Sequence, residues 1–92
     1  MPQVFKIGAY WIYFWLDENM PLEPIHVHVS MKKPVKNATK IWITKNGHCS
    51  LANNNSKIPS ATLNNIMRII EMRIPEVEKK WLETFSKISY YC

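Results

Sequence analysis

The sequence predicts an α+β domain, with an antiparallel sheet of four to five strands in the N-terminal half and two C-terminal helices packed on one face. Three observations carry this. As far as Leu51, apolar residues alternate or run in short blocks bounded by Gly, Pro and Asn. From Ser60 onward the apolar spacing changes to three and four, the helical period. At 92 residues with only two glycines, the chain is long enough for one domain, residues 1–92, and has few flexible joints.

The elements follow in order. "QVFKI" makes a short first strand and Gly8 a turn. "AYWIYFWL" is the second strand, rich in aromatic and β-branched residues. Tyr10, Ile12, Phe14 and Leu16 share one of its faces, and Trp11, Tyr13 and Trp15 the other. A strand apolar on both faces is central in its sheet or meets another chain. "DENMPLEP" is an irregular loop broken by two prolines, and "IHVHVSM" an alternating third strand. "KKPVKN" turns into "ATKIWIT", the fourth, and the Asn-Gly of "KNGH" signals a hairpin toward a short fifth strand over "HCSL". "ANNNSKIP" is a polar connection; Asn53, Asn54 and Asn55 read as loop residues. Ser60 reads as the N-cap of a helix running to about Arg73, with Leu63, Ile66, Met67, Ile70 and Ile74 on its apolar stripe. Pro75 suits the first turn of a second helix, where Glu76 and Glu78 favour the positive end of the dipole. Val77, Trp81, Phe85 and Ile88 form that helix's stripe. Both stripes face the core, and neither calls for a cofactor.

The composition is globular, 47% hydrophobic and 21% charged, with a formal net charge of +5. No acidic residue lies between Glu23 and Glu71, a window that holds Lys32, Lys33, Lys36, Lys40, Lys45, Lys57 and Arg68. A one-sign window of this length favours a polyanion such as RNA or DNA, or an acidic partner. A core this small also leaves room for a homodimer or a partner to add stability. Cys49 and Cys92 show neither a disulfide framework nor a C-x-x-C pair. "MPQVFKIGAY" has no apolar signal-peptide segment, and the eight residues of "AYWIYFWL" are too few to span a membrane. A soluble cytoplasmic protein with reduced thiols and no membrane association is expected.

"PIHVHVS" holds the chemistry. In an alternating strand Ile25, Val27, Val29 and Met31 point one way, and His26, His28 and Ser30 the other. Ile41 and Ile43 share a face of the fourth strand; Lys40, Trp42 and Thr44 share its opposite face. A hairpin of the two strands puts the aliphatic residues under the helices and gathers His26, His28, Lys40, Trp42 and Thr44 on the far side. Imidazoles two residues apart can flank a phosphodiester, one taking the 2′-hydroxyl proton and one protonating the leaving oxygen. Lys40 would stabilise the added charge, Trp42 would stack an unpaired base, and Lys32, Lys33, Lys36 and Lys45 would hold phosphates, with no metal required. H-x-H can instead supply two ligands to zinc, with a third from His48, Cys49, Asp17, Glu18 or Glu23, none of them at diagnostic spacing. The plainest reading keeps the histidines as packing or interface residues, His48 as a turn residue, and Asp17 and Glu18 as solvated loop charges.

The segment "MPQVFKIGAYWIYFWLDENMPLEPIHVHVS" resembles the N-terminal half of a family of small bacterial proteins, domain of unknown function 4160. That family has an aromatic strand, an acidic turn and a "PPHVHV"-like motif. "ATKIWI" is similar to its "A-K-F-W"-like strand, and "EKKWLETF" to its tryptophan-bearing C-terminal helix. The resemblance spans most of the chain and carries over onto Pro24, His26, Val27, His28, Lys40, Trp42 and Trp81. Ile25 departs from it, standing where the family has a second proline, and the "ENMPLEP" loop is longer than usual. The resemblance implies one member of a toxin–antitoxin-like two-protein module, with a cognate small protein from the adjacent gene. It fits a ribonuclease toxin as well as a non-enzymatic protein- or nucleic-acid-binding member.

Overall fold

The computed structural model describes residues 3–16 and 22–92. Asp17, Glu18 and most of the "ENMPLEP" loop lie outside the described residues. Five strands, β1 (Gln3–Ile7), β2 (Tyr10–Tyr13), β3 (His26–Met31), β4 (Thr39–Ile43) and β5 (Cys49–Asn53), precede α1 (Ser60–Met72) and α2 (Ile74–Phe85). The sheet is an antiparallel meander in the order β1-β2-β3-β4-β5, so each strand pairs with its neighbour in sequence. The chain therefore has the expected α+β architecture, and β5 is a full fifth strand.

Burial of one sheet face drives the assembly. Ile12, Val27, Val29, Ile41 and Ile43 form one apolar cluster with Leu63, Ile66 and Ile70 of α1 and Ile74, Val77 and Trp81 of α2. Ile25 and Phe14, just outside β3 and β2, complete it. Trp81 is fully buried, with its ring 4.8 Å from Phe14 and 4.6 Å from Phe85. β2 is shorter than its aromatic run: Leu16 is exposed beyond it, while Tyr13 on the other face is buried. The chain itself covers Tyr13. Its hydroxyl donates to the Val35 carbonyl at 2.8 Å and accepts from the Val35 N–H at 3.0 Å.

Helix ends depart from expectation in two details. Ser60 is the first helical residue of α1; Pro59 is the N-cap and no side chain caps the end. Its fixed φ replaces hydroxyl capping as the local start signal. At α2, Pro75 and Glu76 occupy the first turn as expected, whereas Glu78 instead accepts a 2.8 Å bond from the Tyr90 hydroxyl. The Arg73 guanidinium between the helices makes two 2.8 Å bonds to Glu76 and lies over the Phe5 ring. Ser86 stops α2 in a left-handed conformation (φ 70°). The following tail crosses the end of the sheet, held where the Ile25 N–H donates to the Ser89 carbonyl and the Lys45 N–H to the Cys92 carbonyl.

The "ANNNSKIP" connection is more structured than its composition implies. The Thr39 hydroxyl donates to Asn54 Oδ1, which also accepts the Ile58 N–H, while Asn54 Nδ2 donates to the Ile58 carbonyl. The Ser56 hydroxyl donates to the Val29 carbonyl and accepts the Thr39 N–H. This knot ties the start of β4 to the loop after β5 and satisfies polar groups that burial would otherwise penalise.

Cys49 donates weakly to the Met67 carbonyl and to Glu71, beneath α1. Burial first, and then the Glu71 carboxylate, push its thiol up to about 12. The Cys49 N–H is the main influence holding Glu71 below the usual carboxylate range, with His48 adding to it. Because folding lowers that pKa, Glu71 stabilises the fold above the ordinary carboxylate range and ceases to as pH falls through its lowered value.

Two predictions follow from this packing. Trp81→Ala should cost about 3–5 kcal/mol in urea denaturation, whereas Leu82→Ala, on the exposed side of the same helix, should stay within about 0.5 kcal/mol. Equal losses would contradict the assigned helix faces. At mildly alkaline pH, iodoacetamide should label the exposed Cys92 and spare Cys49 until urea is added, as mass spectrometry would show.

Candidate functional site

The β3–β4 register places His26 opposite Trp42 and His28 opposite Lys40. Directly opposed residues share a face, so the pleat brings together the four side chains expected there. Thr44, beyond the end of β4, instead closes the β4–β5 turn by accepting the His48 N–H. Between β4 and β5 the register shifts between Lys40 and Ile41, and this sets Asn53 opposite Lys40. Such an irregularity re-aims a side chain. Tyr13, His28, Lys40 and Asn53 thus form one row across four strands.

Over this row lies a cleft of about 390 Å³. His28, Lys40 and Asn53 line its floor. Its walls come from connections: Trp15 after β2, Glu23 before β3, Lys36, Asn37 and Ala38 before β4, and Asn55 after β5. Lys40 Nζ is 2.7 Å from a Glu23 carboxylate oxygen and 4.4 Å from the centre of the Trp42 ring. Lys36 Nζ stands 4.9 Å from the centre of the Trp15 ring. A convergent set of cations, amides, one imidazole and one carboxylate in a concave site is suited to an anionic ligand.

The two histidines are not equivalent. His28 reaches the cleft with 7% of its surface, whereas His26 has none. The rings meet edge-on, 5.1 Å apart at 87°. His26 is enclosed further by Trp42 at 5.6 Å and Trp81 at 5.4 Å. Its Nδ1 lies 2.9 Å from the Pro24 carbonyl, which can only accept, so this nitrogen carries a proton. His26 therefore packs behind His28, ring edge against ring.

The lysines also separate. Lys36 and Lys40 meet in the cleft. Lys32 and Lys33 lie in the turn after β3 outside its lining, and Lys45 follows the opposite end of β4, beside the tail. Trp42 is stacked under Tyr91, with rings 4.6 Å apart and 9° from parallel. Among the described residues no three His, Cys, Asp or Glu side chains form a metal-binding group. His48 and Cys49 converge instead on Glu71.

Trp15, Asn37, Asn53 and Asn55 were not legible as site residues, and Glu23, weighed only as an optional third zinc ligand, pairs with Lys40 instead. They carry no motif, and only the fold brings them to the cleft. The usable signal was their position at strand ends flanking "PIHVHVS" and "ATKIWI". Among the described residues no helix is long and apolar enough to cross a membrane.

No curated protein and no solved structure matches the chain. The family model described as a domain of unknown function, DUF4160, matches residues 9–82, a span that contains the whole cleft and both histidines. The chain belongs to the DUF4160 family.

Proposed function

We propose that this protein is an RNA-binding component of a bacterial two-protein, toxin–antitoxin-like module, and that its cleft seats a phosphate of single-stranded RNA. The observation that carries this reading is the convergence of Lys36, Lys40, His28 and Asn53 in one cleft of about 390 Å³. Lys36 is the exposed cation at its wall; Lys40 is fixed by Glu23 as a positioned charge. The amides of Asn37, Asn53 and Asn55 supply neutral donors for phosphate or ribose oxygens. The acid-free window from Pro24 to Ile70 fits the same ligand class.

A second reading adds cleavage at the same seat. It is favoured by His28 standing opposite Lys40, which in turn contacts Glu23. His28 would take the 2′-hydroxyl proton as that oxygen attacks phosphorus, Lys40 would hold the phosphorane charge, and solvent would protonate the departing 5′-oxygen, leaving a 2′,3′-cyclic phosphate and a 5′-hydroxyl end. His26, fully buried, would act by positioning His28 and not by touching RNA. A non-enzymatic role as the protein-binding member of the pair leaves the cleft without a task, so it ranks behind both.

Fluorescence anisotropy with a short oligouridylate RNA across a salt series tests the seat. Affinity should fall steeply with salt, and Lys36→Ala should weaken binding while reducing the log–log salt slope by roughly 0.7, the value for one phosphate on a single strand. Binding that ignores salt, or that Lys36→Ala leaves untouched, would rule the seat out. Incubation of the same RNA with wild type and His28→Ala distinguishes cleavage from binding: loss of cleavage with retained binding assigns His28 the proton transfer, and intact RNA in both leaves a binding module.

A further inference from the structure

Next to the cleft on β4 stands Trp42, two residues from Lys40 and on the same face, with Lys40 Nζ 4.4 Å from its ring centre. Its ring is half-buried, and Tyr91 lies on it at 4.6 Å and 9°. Every other aromatic contact among the described residues is inclined by 31° or more. Offset stacking is one of the two arrangements aromatic pairs favour, and a near-parallel ring on a half-buried indole is also the geometry in which an unpaired base sits.

Tyr91 itself contributes little to the fold. It is 64% exposed and stands outside the apolar cluster that its neighbour Tyr90 joins. The tail is held by backbone bonds at Ser89 and Cys92, neither of which needs the Tyr91 ring. The ring can therefore leave the indole without unfolding the domain.

We propose that Trp42 is a stacking site for an unpaired RNA base adjoining the phosphate seat, and that Tyr91 occupies this site in the free protein. The inference rests on the phosphate-seat reading and extends the ligand by one nucleotide along β4. A phosphate held between Lys36 and Lys40 would place its neighbouring base beside Trp42, and that base would displace the phenol ring. Base and phenol compete for one surface, so the occupied fraction lowers the apparent affinity for RNA.

The test compares an oligouridylate with inorganic polyphosphate, a base-free probe of the same seat. Tyr91→Ala should tighten oligouridylate binding roughly 3–10-fold by removing the competitor, and leave polyphosphate unchanged. Tyr91→Phe, which keeps the stack, should behave as wild type. Trp42→Leu should remove the advantage of RNA over polyphosphate, with circular dichroism confirming the fold. If Tyr91→Ala leaves RNA affinity unchanged or weakens it while polyphosphate still binds, the stacking site is overturned and the seat survives. Equal tightening of both probes also overturns it, because no base is then involved. Failure of wild type and variants alike to bind either probe overturns both readings.

Discussion

The pairing of Val27 with Ile41 is the constraint on which the rest of the molecule depends. It sets the parity of β3 against β4. With that parity Ile25, Val27 and Val29 enter the apolar cluster beneath the helices, and His26 and His28 meet Trp42 and Lys40 on the reverse side. A slip by one residue would bury the polar set in the core and turn the aliphatic set outward, at the cost of both. Core and site are thus two faces of one register, and the hydrophobic effect that fixes the first also positions the second.

The difference in depth between the two histidines has a simple physical basis. Equivalent positions on a strand point to the same side, yet depth on that side is decided by what lies above. His26, at the start of β3, is enclosed between the rings of Trp42 and Trp81. His28 lies nearer the middle of the strand, where the covering elements stop short and leave the cleft. The result is one imidazole in contact with the cleft and one enclosed behind it.

Alternation in "IHVHVSM" and "ATKIWI" was enough to read the two strands and to gather His26, His28, Lys40 and Trp42 on one face; the pairing of each histidine came only from the register, and Met31, expected on the aliphatic face, is exposed. Helical spacing likewise gave α1 and α2 and most of their stripes, although Ile74 opens α2 and Ile88 lies in the tail beyond it. Two kinds of information were absent from those patterns. One is the contact between distant segments: neither Tyr91 on Trp42 nor Glu23 on Lys40 follows from any local period. The other is the irregularity between β4 and β5 that brings Asn53 onto the histidine face, since strict alternation has no place for an extra residue. Asn54 illustrates the same limit. Beside two cleft residues of identical type, it alone is committed to bonds with Thr39 and Ile58.

The meander order carries a consequence for how the molecule assembles in time. Each strand pairs with the next along the chain, so the loops to be closed are short and their entropic cost is low. Such a topology favours rapid collapse through successive hairpins, followed by docking of the helices. The bonds from Ile25 to Ser89 and from Lys45 to Cys92 span the greatest lengths of chain and gain least from this zippering. By the same loop-closure argument the tail is expected to dock after the sheet and helices, which puts a late step at the edge of the candidate site.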